Sequence, residues 1–247
     1  MSNTKKPWYE TAFESGYLEV YPHRDLAAAR EEVSWLIDQG VGGRTLDLCC
    51  GFGRHSLALL EQGVDVIGLD LSADLLGQAG HLEGGGALAG RLVRGDVRFL
   101  PFADQGVDSL VNLFSSFGYF GEQGDRGVLH EIARVLRPGG RLVMDLMNPD
   151  RVRAGLVPES KTERDGFTLY ENRRLEDGGQ RVIKQVRISH VDGRERTWKE
   201  DVRFYSPESM AELLGERGVM VERVAGSFAG EPFQAGSARQ LLIARKD

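Results

Sequence analysis

Cysteine is nearly absent from this chain. There are two, Cys49 and Cys50, and they are neighbours. Adjacent thiols are badly placed for a structural disulfide or a spaced metal pair, so both are read as small packed residues, and no metal is expected. Long apolar runs are missing as well. No stretch approaches the roughly 20 residues of a membrane span, and the opening Met1-Ser-Asn-Thr-Lys-Lys-Pro-Trp-Tyr-Glu10 lacks the apolar core of a signal peptide. No membrane association and a cytoplasmic location are expected. Nor is there an excess of positive charge, since the formal net charge is −6 and the pI is near 5.5. Without a broad basic surface to neutralise a phosphate backbone, long nucleic acids are not the expected partners. The sequence also has no internal repeat and no low-complexity linker. What remains, at 41% hydrophobic and 28% charged over 247 residues, is a globular composition that fits a single domain across 1–247.

The chain alternates apolar runs with helical periodicities. Residues 1–23 carry Trp8, Tyr9, Phe13, Tyr17 and Tyr21, an arm expected to lay its rings on the core. Leu26, Ala29, Val33, Leu36 and Ile37 then recur at helical spacing, with Asp25 as the cap and Gly40 as the stop. A strand from Arg44 enters a glycine turn, Ser56 to Gln62 forms a short helix, and Val64 to Leu69 a second strand. Ser72 caps a further helix, and Arg91 to Asp96 is a short third strand. Val107 to Phe114 is a fourth strand, Glu122 to Leu136 a helix, and Pro138-Gly139-Gly140 turns into a fifth strand, Arg141 to Met147. This rhythm predicts an α/β fold with a doubly wound, mostly parallel sheet. Beyond Pro149 it changes. Residues 167–176, 181–190 and 194–205 alternate between Asp-Gly turns and read as an antiparallel β insertion after strand five, bounded at 160–205. Ser206-Pro207 opens a last helix, and Val219 to Val224 and Gln240 to Ala244 are two closing strands.

Chemistry gathers at the strand ends. Asp47 precedes the Gly51-Phe52-Gly53 turn, Asp70 closes strand two and Asp96 closes strand three. Ligands of parallel sheets sit beyond the carboxyl ends of the strands, where these acids converge. The glycines let a ligand approach the backbone. Asp70 can accept from both ribose hydroxyls, and Asp96 from an exocyclic adenine amine. The bland alternative is a set of solvated acids at strand ends. A dinucleotide fingerprint would place a third glycine where Ser56 stands. Asp47 under the turn repels a pyrophosphate and favours a cation. A sulfonium nucleoside with an amino-acid tail therefore fits better than a nicotinamide dinucleotide.

The motifs Leu46-Asp-Leu-Cys-Cys-Gly-Phe-Gly-Arg-His55, Gly68-Leu-Asp-Leu-Ser72, Gly95-Asp-Val-Arg98, Ser115-Ser-Phe-Gly-Tyr-Phe120 and Arg134-Val-Leu-Arg-Pro-Gly-Gly140 together resemble the class I S-adenosylmethionine-dependent methyltransferases, in particular bacterial enzymes of small-molecule type. The resemblance implies a Rossmann-like, seven-stranded sheet with its last strand antiparallel. It implies S-adenosyl-L-methionine as cofactor and S-adenosyl-L-homocysteine as product. Asp47 and the Gly51 to Gly53 backbone would hold the methionine portion, Asp70 the ribose, Leu71 the adenine face, and Asp96 with the Val97 backbone the adenine edge. Asn112 and Leu113 would pass near the sulfonium. Tyr21, Arg24 and Arg54 compete for the cofactor carboxylate. The insertion would be an acceptor cover or the contact face of a homodimer.

The implied activity is in-line methyl transfer to an O, N or C atom of a small-molecule acceptor, in which the protein aligns the nucleophile and excludes water. If a base is needed, Tyr119 is the first candidate, with His23 and Asn148 behind it. His55 is expected to pack behind the glycine turn and His130 to lie at the surface. Asn112-Leu-Phe-Ser115 lacks the Asn/Asp-Pro-Pro-aromatic signature that resembles the acceptor loop of nucleic-acid amino-methyltransferases. The alternatives are an RNA or protein methyltransferase, a non-catalytic sensor or scaffold that binds the same cofactor, and a non-methylating reaction on it.

Overall fold

The computed structural model describes residues 6–14, 16–21 and 25–247, so His23 and Arg24 lie outside the described residues. Two short helices, α1 (Trp8–Thr11) and α2 (Tyr17–Val20), precede α3 (Leu26–Asp38), whose first turn is capped by Asp25 accepting from the Ala28 N–H at 2.8 Å. There follow β1 (Arg44–Leu48), α4 (Arg54–Glu61), β2 (Asp65–Asp70), α5 (Ala73–Gln78), β3 (Leu92–Arg94), β4 (Val107–Asn112), α6 (Gly121–Val135) and β5 (Leu136–Leu146). After α7 (Pro149–Gly155) come β6 (Glu159–Arg164), β7 (Phe167–Glu176), β8 (Arg181–His190) and β9 (Glu195–Arg203). The chain closes with α8 (Pro207–Gly215), β10 (Val219–Ala225) and β11 (Gln240–Lys246).

Seven strands form one sheet in the order β10-β11-β5-β4-β1-β2-β3, with β11 antiparallel to both neighbours. This is the expected doubly wound sheet with its reversed last strand. The central strands β1 and β4 are buried almost throughout, as strands covered on both faces must be. Leu129 and Ile132 of α6 and Met210 and Leu214 of α8 cover one face; Val33 and Leu36 of α3 and Leu59 of α4 cover the other. Each such side chain contributes about 2 kcal/mol by leaving water. The strand order reverses between β1 and β4, which opens a crevice at their carboxyl ends.

Several boundaries differ from the sequence reading, among them the end of β4, at Asn112 rather than Phe114, and three bear on the site or the sheet. Helix α4 starts at Arg54 rather than Ser56, because Gly53 adopts a left-handed backbone, φ 81°, that turns the chain directly into the helix. Strand β3 is short, so Asp96 stands just past its end. Strand β5 begins at Leu136, which pairs with Val107 before the Pro-Gly-Gly segment bulges out and pairing resumes at Arg141.

The insertion is a four-stranded antiparallel sheet, β6-β7-β8-β9. Its first strand adds to the meander read from the sequence, and as a mostly exposed edge, Glu-Ser-Lys-Thr-Glu-Arg, it has no apolar alternation to reveal it. Val20 of α2 packs with Leu169, Val186 and Ile188, which joins the amino-terminal arm to this second sheet. No helix among the described residues is long and apolar enough to cross a membrane.

Candidate cofactor and acceptor site

A cavity of about 860 Å³, open mouth included, lies at the carboxyl ends of β1, β2 and β4. Asp47, Gly51, Asp70 and Asp96 all border it, so the structure brings the strand-end acids together. Leu71, Leu75 and Val97 give it an apolar side, and Leu113 and Tyr119 close it near the end of β4. Gly53 stands just behind the wall as the cap of α4, where a side chain would meet Leu88 at 2.9 Å.

The acids are held differently. Asp47 is 1% exposed and accepts from the Ser56 hydroxyl at 2.6 Å. Ser56 thus occupies the missing glycine's place with a purpose. Burial pushes the Asp47 carboxyl up to about 7, against the opposing pull of Ser56 and of the Arg54 charge. Asp70 accepts from the Gly51 and Ser72 N–H groups, both at 2.8 Å, tying the end of β2 to the glycine turn and to the start of α5. Burial raises it too, and those backbone donors hold it back. Asp96 is more exposed. Burial alone would raise its carboxyl, but the Arg98 guanidinium, 2.6 Å away, holds it below the usual range. Burial raises the Cys49 and Cys50 thiols well above the ordinary value, as suits packed residues rather than nucleophiles.

Arg54 is the cation at the turn. Its side chain is 5% exposed and pairs with Glu32 of α3 at 3.3 Å. Its Nη2 is buried without a hydrogen-bond partner among the described residues. Glu32 also accepts from His55 at 2.6 Å. Burial lowers His55 to about 4 against that bond, so the ring is neutral and serves as a donor. The sequence placed His55 behind the turn but offered no sign of Glu32. The Arg54 guanidinium lies over the Phe114 ring, 4.2 Å from its centroid, and that of Arg239 lies over the same ring at the same distance. Phe114 and Ser115 both adopt positive φ, 59° and 57°, a strained turn that no sequence signal announced.

Of the candidates still to be placed, Tyr21, Asn112, Asn148 and His130 do not border this cavity, whereas Tyr119 does. Asn112 is turned into the sheet, its amide donating to the Leu48 carbonyl at 3.2 Å. Tyr21 borders the neighbouring cavity, where it hydrogen-bonds Lys184 and Glu200. Asn148 caps α7 and donates to the Gln234, Ala235 and Ser237 carbonyls. His130 is exposed. The Tyr119 hydroxyl donates to the Ser115 carbonyl at 3.0 Å, and its ring lies 4.8 Å from Trp8. Tyr9, Phe13 and Tyr17 of the arm complete the cavity wall. Beyond Phe13, Tyr17, Phe114 and Tyr119 lies a second cavity of about 1360 Å³, open mouth included, whose far side belongs to the insertion.

These residues fit S-adenosylmethionine. The unpartnered Arg54 Nη2 leaves a buried donor open to an anion such as a carboxylate, the buried acids offer acceptors to an ammonium and to hydroxyls, and the apolar side suits a base. The comparisons agree. A methyltransferase domain family matches residues 45–140. The demethylmenaquinone methyltransferase of Lactiplantibacillus plantarum is 38% identical over 128 residues, 49% of this chain and 53% of that protein. The chain spans about half the length of the demethylmenaquinone methyltransferases it matches. A solved S-adenosylmethionine-dependent methyltransferase from Clostridium acetobutylicum shares the fold, with a TM-score of 0.77 at 15% identity over 94% of this chain and 96% of that one. The cypemycin N-terminal methyltransferase of a Streptomyces species is 30% identical over 227 residues, covering 85% of this chain and 87% of its own length. With that likeness along nearly its full length and the cofactor motifs in place, the chain belongs to the class I S-adenosylmethionine-dependent methyltransferases.

Proposed function

We propose that this chain transfers a methyl group from S-adenosylmethionine to an O, N or C atom of a small molecule seated between the seven-stranded sheet and the insertion. One observation carries the reading: Phe13, Tyr17, Phe114 and Tyr119 border both the cofactor cavity and the larger cavity beyond it. A sensor needs only the first cavity. The second gives an acceptor a place beside the methyl. The relatives support a small acceptor or a chain end, being named for demethylmenaquinone, the cypemycin amino terminus, and glycine and sarcosine. The free thiols of Cys49 and Cys50 suit a reducing, cytoplasmic compartment.

In this reading Arg54 binds the methionine carboxylate, Asp47 the ammonium and Asp70 the ribose hydroxyls. Asp96 and the Val97 N–H read the adenine edge, with Leu71 and Leu75 against its faces. The cofactor, when bound, would supply a methyl carbon activated by its sulfonium for displacement by the acceptor's electron pair, the C–S pair leaving with sulfur and any acceptor proton passing to solvent. The chain aligns the acceptor and excludes water. We assign the Tyr119 ring to that shielding, since its hydroxyl is engaged as a donor to a carbonyl. Calorimetry should show binding of S-adenosylmethionine and S-adenosylhomocysteine, and tight binding of NAD alone would overturn the reading. A labelled-methyl assay on a metabolite panel should show many turnovers per protein; binding without turnover would leave a sensor.

A further inference from the structure

The chamber beside the cofactor cavity holds the cations Arg173, Lys184 and Arg239. Two of them are committed. Arg173 pairs with Glu171 at 2.6 Å and donates to Ser160 Oγ at 3.0 Å. Lys184 pairs with the same Glu171 at 2.8 Å, lies 4.0 Å from Glu200 and donates to the Tyr21 hydroxyl. Arg239 is different. Its Nη1 donates to Asp145 at 2.6 Å, while no acceptor among the described residues takes its Nε or Nη2. Its guanidinium lies over Phe114 at 4.2 Å and Phe228 at 5.5 Å, so rings fix its plane. What is left is the edge that presents two parallel N–H groups, the geometry that matches a carboxylate.

That edge is tied to the transfer point. Asp145 is wholly buried, and its Oδ2 also accepts the Phe114 N–H at 2.9 Å, while its carbonyl accepts the Ser115 N–H at 2.9 Å. Phe114 is one of the four side chains that border both cavities. A group bound by Arg239 therefore sits at a set separation from the methyl-donating end of the cofactor cavity. The chamber surfaces around it, Met147, Val152, Leu156 and Val202, are apolar.

We infer, resting on the methyltransferase reading above, that the acceptor is a small carboxylate with an apolar body, its carboxylate held by the Nε and Nη2 edge of Arg239 and its nucleophile directed past Phe114. The test is a labelled-methyl assay on amino and hydroxy carboxylic acids, each run beside its primary amide. The acids should be methylated, with the amides showing KM raised roughly ten- to hundredfold, the worth of a charge-assisted pair. Arg239→Gln should bring the acids to the level of the amides, with unchanged affinity for S-adenosylhomocysteine, and Arg239→Lys should fall between. Because Arg239→Gln strands the buried Asp145, the paired variant Asp145→Asn/Arg239→Gln is run with it and should lose the acid preference equally. Amides used as well as acids, or an acid preference that survives in both variants, overturns the inference and leaves the enzyme reading standing. If neither the panel nor a metabolite extract is methylated while S-adenosylhomocysteine still binds, the enzyme reading falls and this inference with it.

Discussion

At Asp47, burial and the proposed ammonium contact pull in opposite directions. Enclosed beneath the turn, its carboxyl is raised to about 7, whereas an ammonium beside it favours the ionised form. Below that pH cofactor binding must release a proton. Affinity for S-adenosylhomocysteine should therefore climb as pH rises toward neutrality, approaching about tenfold per unit at the acidic end, and level off above. Asp47→Asn should weaken binding at alkaline pH and abolish the slope. Calorimetry in buffers of different ionisation enthalpy reads the proton directly, and a slope that persists in the variant would place the titration elsewhere. Asp70 makes a different case, because it serves the turn and the ligand at once. Asp70→Ala removes the acceptor of the Gly51 and Ser72 N–H groups together with the proposed ribose contact. Affinity for S-adenosylhomocysteine should fall by on the order of 2 kcal/mol or more. Unchanged affinity would mean that the cofactor does not lie against the end of β2.

Between elements, Gly68 in β2 constrains the glycine turn. A Cβ there would stand 2.8 Å from Cys50 Sγ and 2.9 Å from Ser56 Oγ, so the strand can pass beneath the turn only without a side chain. Gly68→Ala should cost about 1–3 kcal/mol by overpacking and should also weaken cofactor binding, since the turn must move. Thermal melts and calorimetry check both effects, and a variant that melts like the parent would show the turn to be yielding. This explains why the turn and β2 stand out together in the sequence: their chemistry is local to strand ends. Covered central strands read as continuous apolar runs, and Asp25, Ser72 and Ser206 announced their helices because a cap acts within its own turn. Contacts between distant elements left no such trace. Arg134, read only as part of a motif ending a helix, donates to the Leu100 and Phe102 carbonyls and so fixes the loop beyond Asp96. Glu32 with Arg54, and Asp145 with Arg239, lie 22 and 94 positions apart, so neither pair has a period or spacing that could reveal it.

Across the whole molecule, the amino-terminal arm touches both sheets. Ser72 at the start of α5 donates to the Phe13 carbonyl on one side. On the other, Arg196 of β9 pairs with Glu14 at 2.7 Å, and Arg164 of β6 donates to the Glu19 carbonyl at 2.9 Å. Tyr9, Phe13 and Tyr17 meanwhile form the outer wall of the cofactor cavity. A ligand in that cavity gives those rings apolar surface to bury, so it stabilises the arm and, through the arm, the second sheet. Strands β10 and β11, on the other side of β5, share none of these contacts. Hydrogen exchange should therefore slow on adding S-adenosylhomocysteine in the arm and in β8 and β9 together, with β10 unaffected. Protection confined to the glycine turn and the strand ends would show that the arm does not respond to the cofactor. Val20, 3% exposed among Leu169, Val186 and Ile188, is the apolar joint between α2 and the second sheet. Val20→Ala should leave the protection around the cofactor cavity intact while shrinking that of β8, and equal protection of β8 in both proteins would rule out this joint as the route.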